Sequence, residues 1–534
     1  MTAFCLLLLA PLALVDVPPL LDYPNHLARA FVLASGPGDA VLSEFYRPHW
    51  GILPNLATDA VLTPVLRRLP EGAHWVHLAG RIMVGAFLLL PVLGTVAYSR
   101  AVFGRWSWWP LGCGLVAYNA AFLQGFLNFS ASISLALLCA AAWRCWRRAF
   151  PMRMTGAAAV ATAVLFFCHL MGLGFFLLLM AAAEVEAAWK NAGTSGGIGF
   201  MAAVARRALA CLPVLVLPAI LYVTSEFGQA DAEPQWRSLS DKFAHLLDPV
   251  INYDLATDGL TAIAIIGVLV LAAVTGCLRV PVASRLVLGV LLALYAIAPF
   301  DYKGSAAFDM RFVIMAAFML FAAMLPSLPR RTQRLAAASF ATLFVVRMAI
   351  IGAVWIERSD DLAQFRQMIA AVPVGSRVYL TSVAPVDAPD YWRRNPHGLL
   401  SDGTRTDFHI AALLVIERRS FWPYLFAYAS QQPIELMPRY MALAEQTNAM
   451  SGSEFVASCR AGAAPADLEK AICGYDYLLM LEPAALPGPQ RCAPQRLSLI
   501  ASTNMAALFQ VKPGACAIPA GTQGPQSAVT RFSG

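Results

Sequence analysis

Apolar residues run in long, nearly unbroken blocks along the first two thirds of the chain, separated by short polar stretches. Blocks at 2–17, 78–99, 109–126, 129–143, 155–168, 171–189, 208–224, 259–278, 286–300, 312–328 and 335–356 approach or exceed the roughly 17–20 residues that cross a hydrocarbon core. The pattern predicts about 11 transmembrane helices. The first block has no Lys or Arg ahead of it and no small-residue cleavage pattern, so it reads as a retained span and not a removed signal.

After Glu357 the pattern changes. SDDLAQFRQMIAAV (359–372) and HIAALLVIERRS (409–420) carry helical apolar spacing, while VGSRVYLTS (374–382) and YDYLLMLE (475–482) read as buried strands. The expected fold is therefore a polytopic α-helical membrane protein with a small C-terminal α/β domain. Residues 1–356 form the membrane domain, with a first outer loop over 18–77, and residues 357–534 form the second domain. The tail contains no glycine-rich phosphate loop.

Composition agrees. Of 534 residues 59% are hydrophobic and only 13% charged, with mean hydropathy +0.61, whereas soluble chains carry about 25% charged residues. A net charge of +7 could attract nucleic acid, but the basic residues fall in small groups between apolar runs and form no basic groove. No nucleic-acid partner is expected; membrane lipids are.

Loop charge sets the expected orientation. With the N-terminus in the cytoplasm, the inner loops hold Arg100 and Arg105; Arg144, Arg147, Arg148 and Arg153; Lys190, Arg206 and Arg207; Arg279 and Arg285; and Arg330, Arg331 and Arg334. The short outer loops hold few: Arg237 and Lys242 in 225–258 and Lys303 in 301–310. Positive charge thus gathers on one side at each turn. The first loop and the tail then face the far side, outside the cytoplasm. Cysteine usage points the same way. Cys5, Cys113, Cys139, Cys145, Cys168, Cys211 and Cys277 sit in or beside apolar blocks as small apolar side chains, while Cys459, Cys473, Cys492 and Cys516 fall in the tail, an even set suited to two disulfides in an oxidising compartment. Their spacing lacks a CxxC pair, so no zinc site is expected.

Candidate chemistry gathers at two places. PPLLDYPNHLARA (18–30) sets Asp22, His26 and Arg29 on one face of a helix that starts near Pro24. Asp22 can cap that helix, with His26 at the interface and Arg29 among lipid headgroups, or the three can serve chemistry; the two uses are compatible. In DYKGSAAFDMRFVIMAAFML (301–320), Asp301, Lys303, Asp309 and Arg311 precede a block. An Arg at a helix start opposes the helix dipole and calls for an anion: either Asp309 or, the favoured reading, a lipid phosphate bound by Lys303 and Arg311. His169, in LFFCHLMGLGFF, falls at an outer turn and reads first as a loop histidine; QGFLNF (124–129) makes a similar turn lined by Gln124 and Asn128. Glu44, His49, Asp59, His74 and His77 complete the first loop without metal-ligand spacing.

The whole layout resembles the GT-C glycosyltransferases, the class that includes protein O-mannosyltransferases and bacterial aminoarabinose transferases. The features that carry the resemblance are Asp22 in LLDYPNHLAR soon after the first span, Arg311-Phe312 in DMRFVIMAAF at the outer start of a late span, GFLNFS, His169-Leu-Met-Gly and an outer C-terminal domain. Many relatives carry two adjacent acids in the first loop; here Tyr23 follows Asp22, which leaves two readings, Asp22 as the sole base or Asp22 assisted by Asp59 or Glu44. The resemblance implies an inverting enzyme of the bacterial inner membrane with its C-terminal domain in the periplasm. It would take a sugar from a polyprenyl-phosphate donor and pass it to a hydroxyl of a lipid or glycan acceptor. It implies Asp22 as general base and His26, Arg29, His169, Lys303, Asp309 and Arg311 around the substrate and its phosphate, without an obligatory metal or other cofactor. A transporter or lipid flippase, and a receptor or scaffold acting through the tail, are the other classes open to such a chain. The first calls for internal repeats and charged, broken helices, which the sequence does not display.

Overall fold

The computed structural model describes residues 1–192, 196–229, 233–382, 399–447, 472–481 and 497–512. They form two compact units: Met1–Pro11, Gly51–Thr58 and Met83–Gly352 in the first, and Leu12–Trp50, Asp59–Ile82 and Ala353–Gly534 in the second.

Among the described residues, seven helices are long and apolar enough to cross a membrane: Ala73–Phe103, Leu127–Trp146, Pro151–Cys168, Leu170–Asn191, Gly197–Thr224, Leu255–Val274 and Arg330–Ile369. Each overlaps one expected block. Outward exposure is greatest on Gly197–Thr224: only 17% of its apolar window is buried, and Leu209, Val216, Ile220 and Val223 are exposed. Apolar side chains lying outward on this scale suit a hydrocarbon solvent and not water.

The other four expected spans differ. Helices Thr2–Ala13, Val282–Ile297 and Met310–Ala323 are apolar but short. A 14-residue helix such as the last rises about 21 Å, less than the roughly 30 Å of a bilayer core. Block 109–126 is not an α-helix. Trp109–Val116 winds as a 3-10 helix and Ala120–Leu123 makes one α-turn. Pro110, Gly112 and Gly114 disfavour a regular helix, and a Cβ on Gly112 or Gly114 would stand 2.6 Å from the Phe321 ring or 2.5 Å from the Phe4 ring. The stretch is buried almost throughout, as irregular backbone in a membrane-embedded unit must be. An unforeseen short apolar helix, Ala57–Leu66, lies in the first loop.

In the first unit, helices pack through small residues. A Cβ on Gly172 would lie 2.4 Å from the Ser132 Cβ, so only glycine lets the helix from Leu170 approach Leu127–Trp146 this closely. Some charges close on themselves. Arg347 donates to Asp258 Oδ1 and to the Val250 carbonyl, both at 2.6 Å, while Glu184 and Glu186, inside an expected span, take up Arg207 and Arg144.

The second unit joins the first loop to the tail. Its sheet runs Val378–Ser382, Tyr477–Leu481, Ala506–Val511, Leu497–Ser502; the first pair is parallel and the others antiparallel. Tyr477–Leu481 is buried along its whole length, as its unbroken apolar run predicts. A separate ribbon pairs Tyr46–Pro48 of the first loop with Ile434–Leu436 of the tail. The expected domain boundary at 356/357 falls inside the continuous helix Arg330–Ile369, which absorbs most of the separate tail helix expected from 359. The helix expected at 409–420 is a 3-10 turn, Phe408–Ala412, followed by Leu413–Arg418. Cys473 is disulfide-bonded; Cys459, Cys492 and Cys516 lie outside the described residues. The seven cysteines of the apolar blocks are free thiols, as expected.

Candidate functional site

Asp22 stands at the N-cap of helix Tyr23–Ser35, where Pro24 pre-sets the first turn. Its side chain makes no cap hydrogen bond. The expectation that Asp22 caps this helix is thus not met. Its backbone at that position is already α-helical, whereas a residue that caps the second or third N–H of a helix typically has an extended one. The carboxylate faces His409 instead, with Nδ1 of that ring 3.0 Å from Oδ1 and each side chain 15% exposed.

One turn on, Asn25 ties the helix to the tail: its Nδ2 donates to the Tyr424 carbonyl at 2.9 Å and its Oδ1 accepts the Phe426 N–H at 2.7 Å. Phe426 then meets both imidazoles edge-on, His26 at 5.5 Å and His409 at 5.1 Å between ring centroids. Trp422 and Phe408 flank His409.

Arg29 was expected at lipid headgroups or at a phosphate, but it is wholly buried. Its Nε donates to Asp59 Oδ1 at 2.8 Å, its Nη2 to Asp59 Oδ2 at 2.6 Å and its Nη1 to Gln432 Oε1. A fork of donors matched to two carboxylate oxygens is geometrically complete, so this guanidinium serves the fold. Asp59 is equally buried, and Glu44 accepts from Arg439 and Tyr440 at the surface. Neither helper acid is therefore disposed to assist Asp22. His77 lies 3.2 Å from Glu417, which also takes Arg366 at 2.6 Å.

His26 is shaped by this pair. Its Nδ1 lies 3.2 Å from Arg29 Nη2, which can only donate, so Nδ1 accepts and the proton of the neutral ring sits on Nε2. Burial first, then the charges of Arg29 and His409, hold the imidazole well below its usual 6.5. His26 is thus a neutral hydrogen-bond donor and not a cation for phosphate. The unfolded chain binds a proton below about 6.5 that the folded chain refuses, so stability is full above that pH and falls with acidification. We expect a loss approaching about 1.4 kcal/mol per pH unit between about pH 6 and pH 5 from this group. Thermal melting across that range, flatter in His26→Asn, checks it.

The second cluster belongs to the first unit. Asp309 caps helix Met310–Ala323 through the Met310 N–H and lies 3.5 Å from Lys242 Nζ and 3.7 Å from Arg237 Nε. Lys242 also donates to the Tyr295 and Ala298 carbonyls, both at 2.8 Å, closing the C-terminal end of helix Val282–Ile297. Arg311 donates to Ser305 Oγ at 2.9 Å and to the Ala306 carbonyl at 3.2 Å, with its guanidinium 5.0 Å from the Phe126 ring centroid. Lys303 has a left-handed backbone (φ 52°), and its Nζ donates to the Gly228 carbonyl at 2.9 Å. His169 breaks the path between helices Pro151–Cys168 and Leu170–Ala192, accepts the Met171 N–H on Nδ1 and stacks edge-on with Phe129; Arg311 is its charged neighbour.

Sequence reasoning missed His409, which has no spacing relation to Asp22, and the part that Arg237 and Lys242 play at Asp309. Compared with known proteins, the chain matches no family model, no curated protein and no solved structure.

Proposed function

We propose that the chain is a membrane-embedded glycosyltransferase. It moves a sugar from a polyprenyl-phosphate donor to a hydroxyl of a lipid or glycan acceptor at the outer face of the bacterial cytoplasmic membrane, with the first loop and the tail in the periplasm. The observation that carries this reading is the Asp22 carboxylate: unused by its own helix, partly exposed and set beside an imidazole. A base for an acceptor hydroxyl needs those properties.

In the reaction, the acceptor oxygen attacks the anomeric carbon from the face opposite the phosphate while its proton passes to Asp22. The bond from that carbon to the phosphate oxygen breaks, its electron pair leaves with the lipid phosphate, and configuration inverts. Arg311 is assigned to the charge growing on that phosphate. Lys303 shapes the loop ahead of it, Asp309 holds Lys242 and Arg237, and neutral His26 offers Nε2–H to a substrate oxygen. A phosphate neutralised by arginine is a competent leaving group, so no metal is needed. Transport would call for ionisable groups open to a pathway within the spans. Asp258 and Arg347, by contrast, are closed on each other.

The test is the purified protein in liposomes with polyprenyl-phosphate hexoses and pentoses carrying a radiolabelled sugar. Transfer of label from one donor, inhibited by free polyprenyl phosphate, is the expected result. Donors that all stay intact, with no binding of polyprenyl phosphate, contradict the reading.

A further inference from the structure

We propose that His409 is the positioning residue for Asp22: its imidazole holds one carboxylate oxygen and so aims the other at the acceptor hydroxyl. The inference rests on the glycosyltransferase reading and extends it, because it gives the tail a part in the chemistry.

Three observations carry it. His409 Nδ1 lies 3.0 Å from Asp22 Oδ1, within hydrogen-bonding reach but not yet in line. Such contacts commonly tighten when substrate is bound. The ring is itself oriented, with Phe408, Trp422 and Phe426 around it and Phe426 fixed by Asn25 of Asp22's own helix. The carboxylate is spent on nothing local, since the helix it begins is not capped by it. A carboxylate left to rotate spreads its lone pairs over many directions; one held by a clamped donor presents one oxygen along a fixed line. During transfer, the hydroxyl proton goes to the oxygen of Asp22 that His409 does not hold. The imidazole keeps its own proton, so His409 acts through Asp22 alone.

A role in packing and a role in positioning predict opposite rescues. His409→Asn keeps a nitrogen near the Nδ1 position and loses the ring; His409→Phe keeps the ring among its aromatic neighbours and loses the nitrogen. Turnover of a radiolabelled polyprenyl-phosphate sugar is measured for both, for wild type and for Asp22→Asn, with thermal melting alongside. Positioning predicts that His409→Phe lowers kcat about 100-fold with KM for the donor unchanged, while His409→Asn stays within about tenfold of wild type. The reverse order, equal losses that follow a lowered melting temperature, or full activity in His409→Phe overturns it. Asp22→Asn separates the two levels. Full activity in Asp22→Asn overturns the reading of Asp22 itself. An inactive Asp22→Asn beside a fully active His409→Phe overturns only the part given to His409.

Discussion

Replacing Arg29 by Ala is expected to cost about 3–5 kcal/mol, enough to lower the melting temperature by on the order of 10 °C. The carboxylate of Asp59 would then remain in a fully buried position with its two charge-assisted donors gone. An uncompensated buried charge costs far more than the pair contributes while intact, because desolvation has already consumed most of the attraction between the two ions. The double change Arg29→Met with Asp59→Leu removes both charges, keeps apolar volume and is expected to recover most of the loss. Equal melting temperatures for wild type and Arg29→Ala would contradict the structural role given to this pair. Gln432 and His26 lean on the same guanidinium, so the single change also frees the His26 tautomer.

Much of the fold is legible in the chain, and the exceptions have physical causes. Helices such as Leu127–Trp146 and Leu255–Val274 announce themselves because lipid demands about twenty apolar residues in a row and the helix must satisfy its own backbone. Block 109–126 is also predominantly apolar and is no such helix. Hydropathy records the solvent a residue prefers, not the backbone it adopts, and a segment enclosed by protein is as apolar as one facing lipid. Pro110, Gly112 and Gly114 were the available signal. The end of helix Arg330–Ile369 is hidden for a related reason: its apolar pattern stops near 356, but nothing in ERSDDLAQFRQMI breaks a helix.

The site divides in the same manner. Asp22 and His26 stand out because ionisable groups beside a span are costly. Arg29 stood out equally and is structural, since a motif cannot reveal a partner thirty residues downstream at Asp59. His409 was invisible, because nothing in its own segment points to Asp22.

The most direct measurement is the rate of sugar transfer by Asp22→Asn beside wild type, from the same polyprenyl-phosphate donor in liposomes. Asparagine keeps the size and shape of the side chain and cannot take the acceptor proton. The account predicts a loss of about 1,000-fold in kcat, within the usual contribution of a general base, with donor binding and melting temperature retained. Wild-type turnover in Asp22→Asn would remove the carboxylate from the chemistry and contradict the account at its centre.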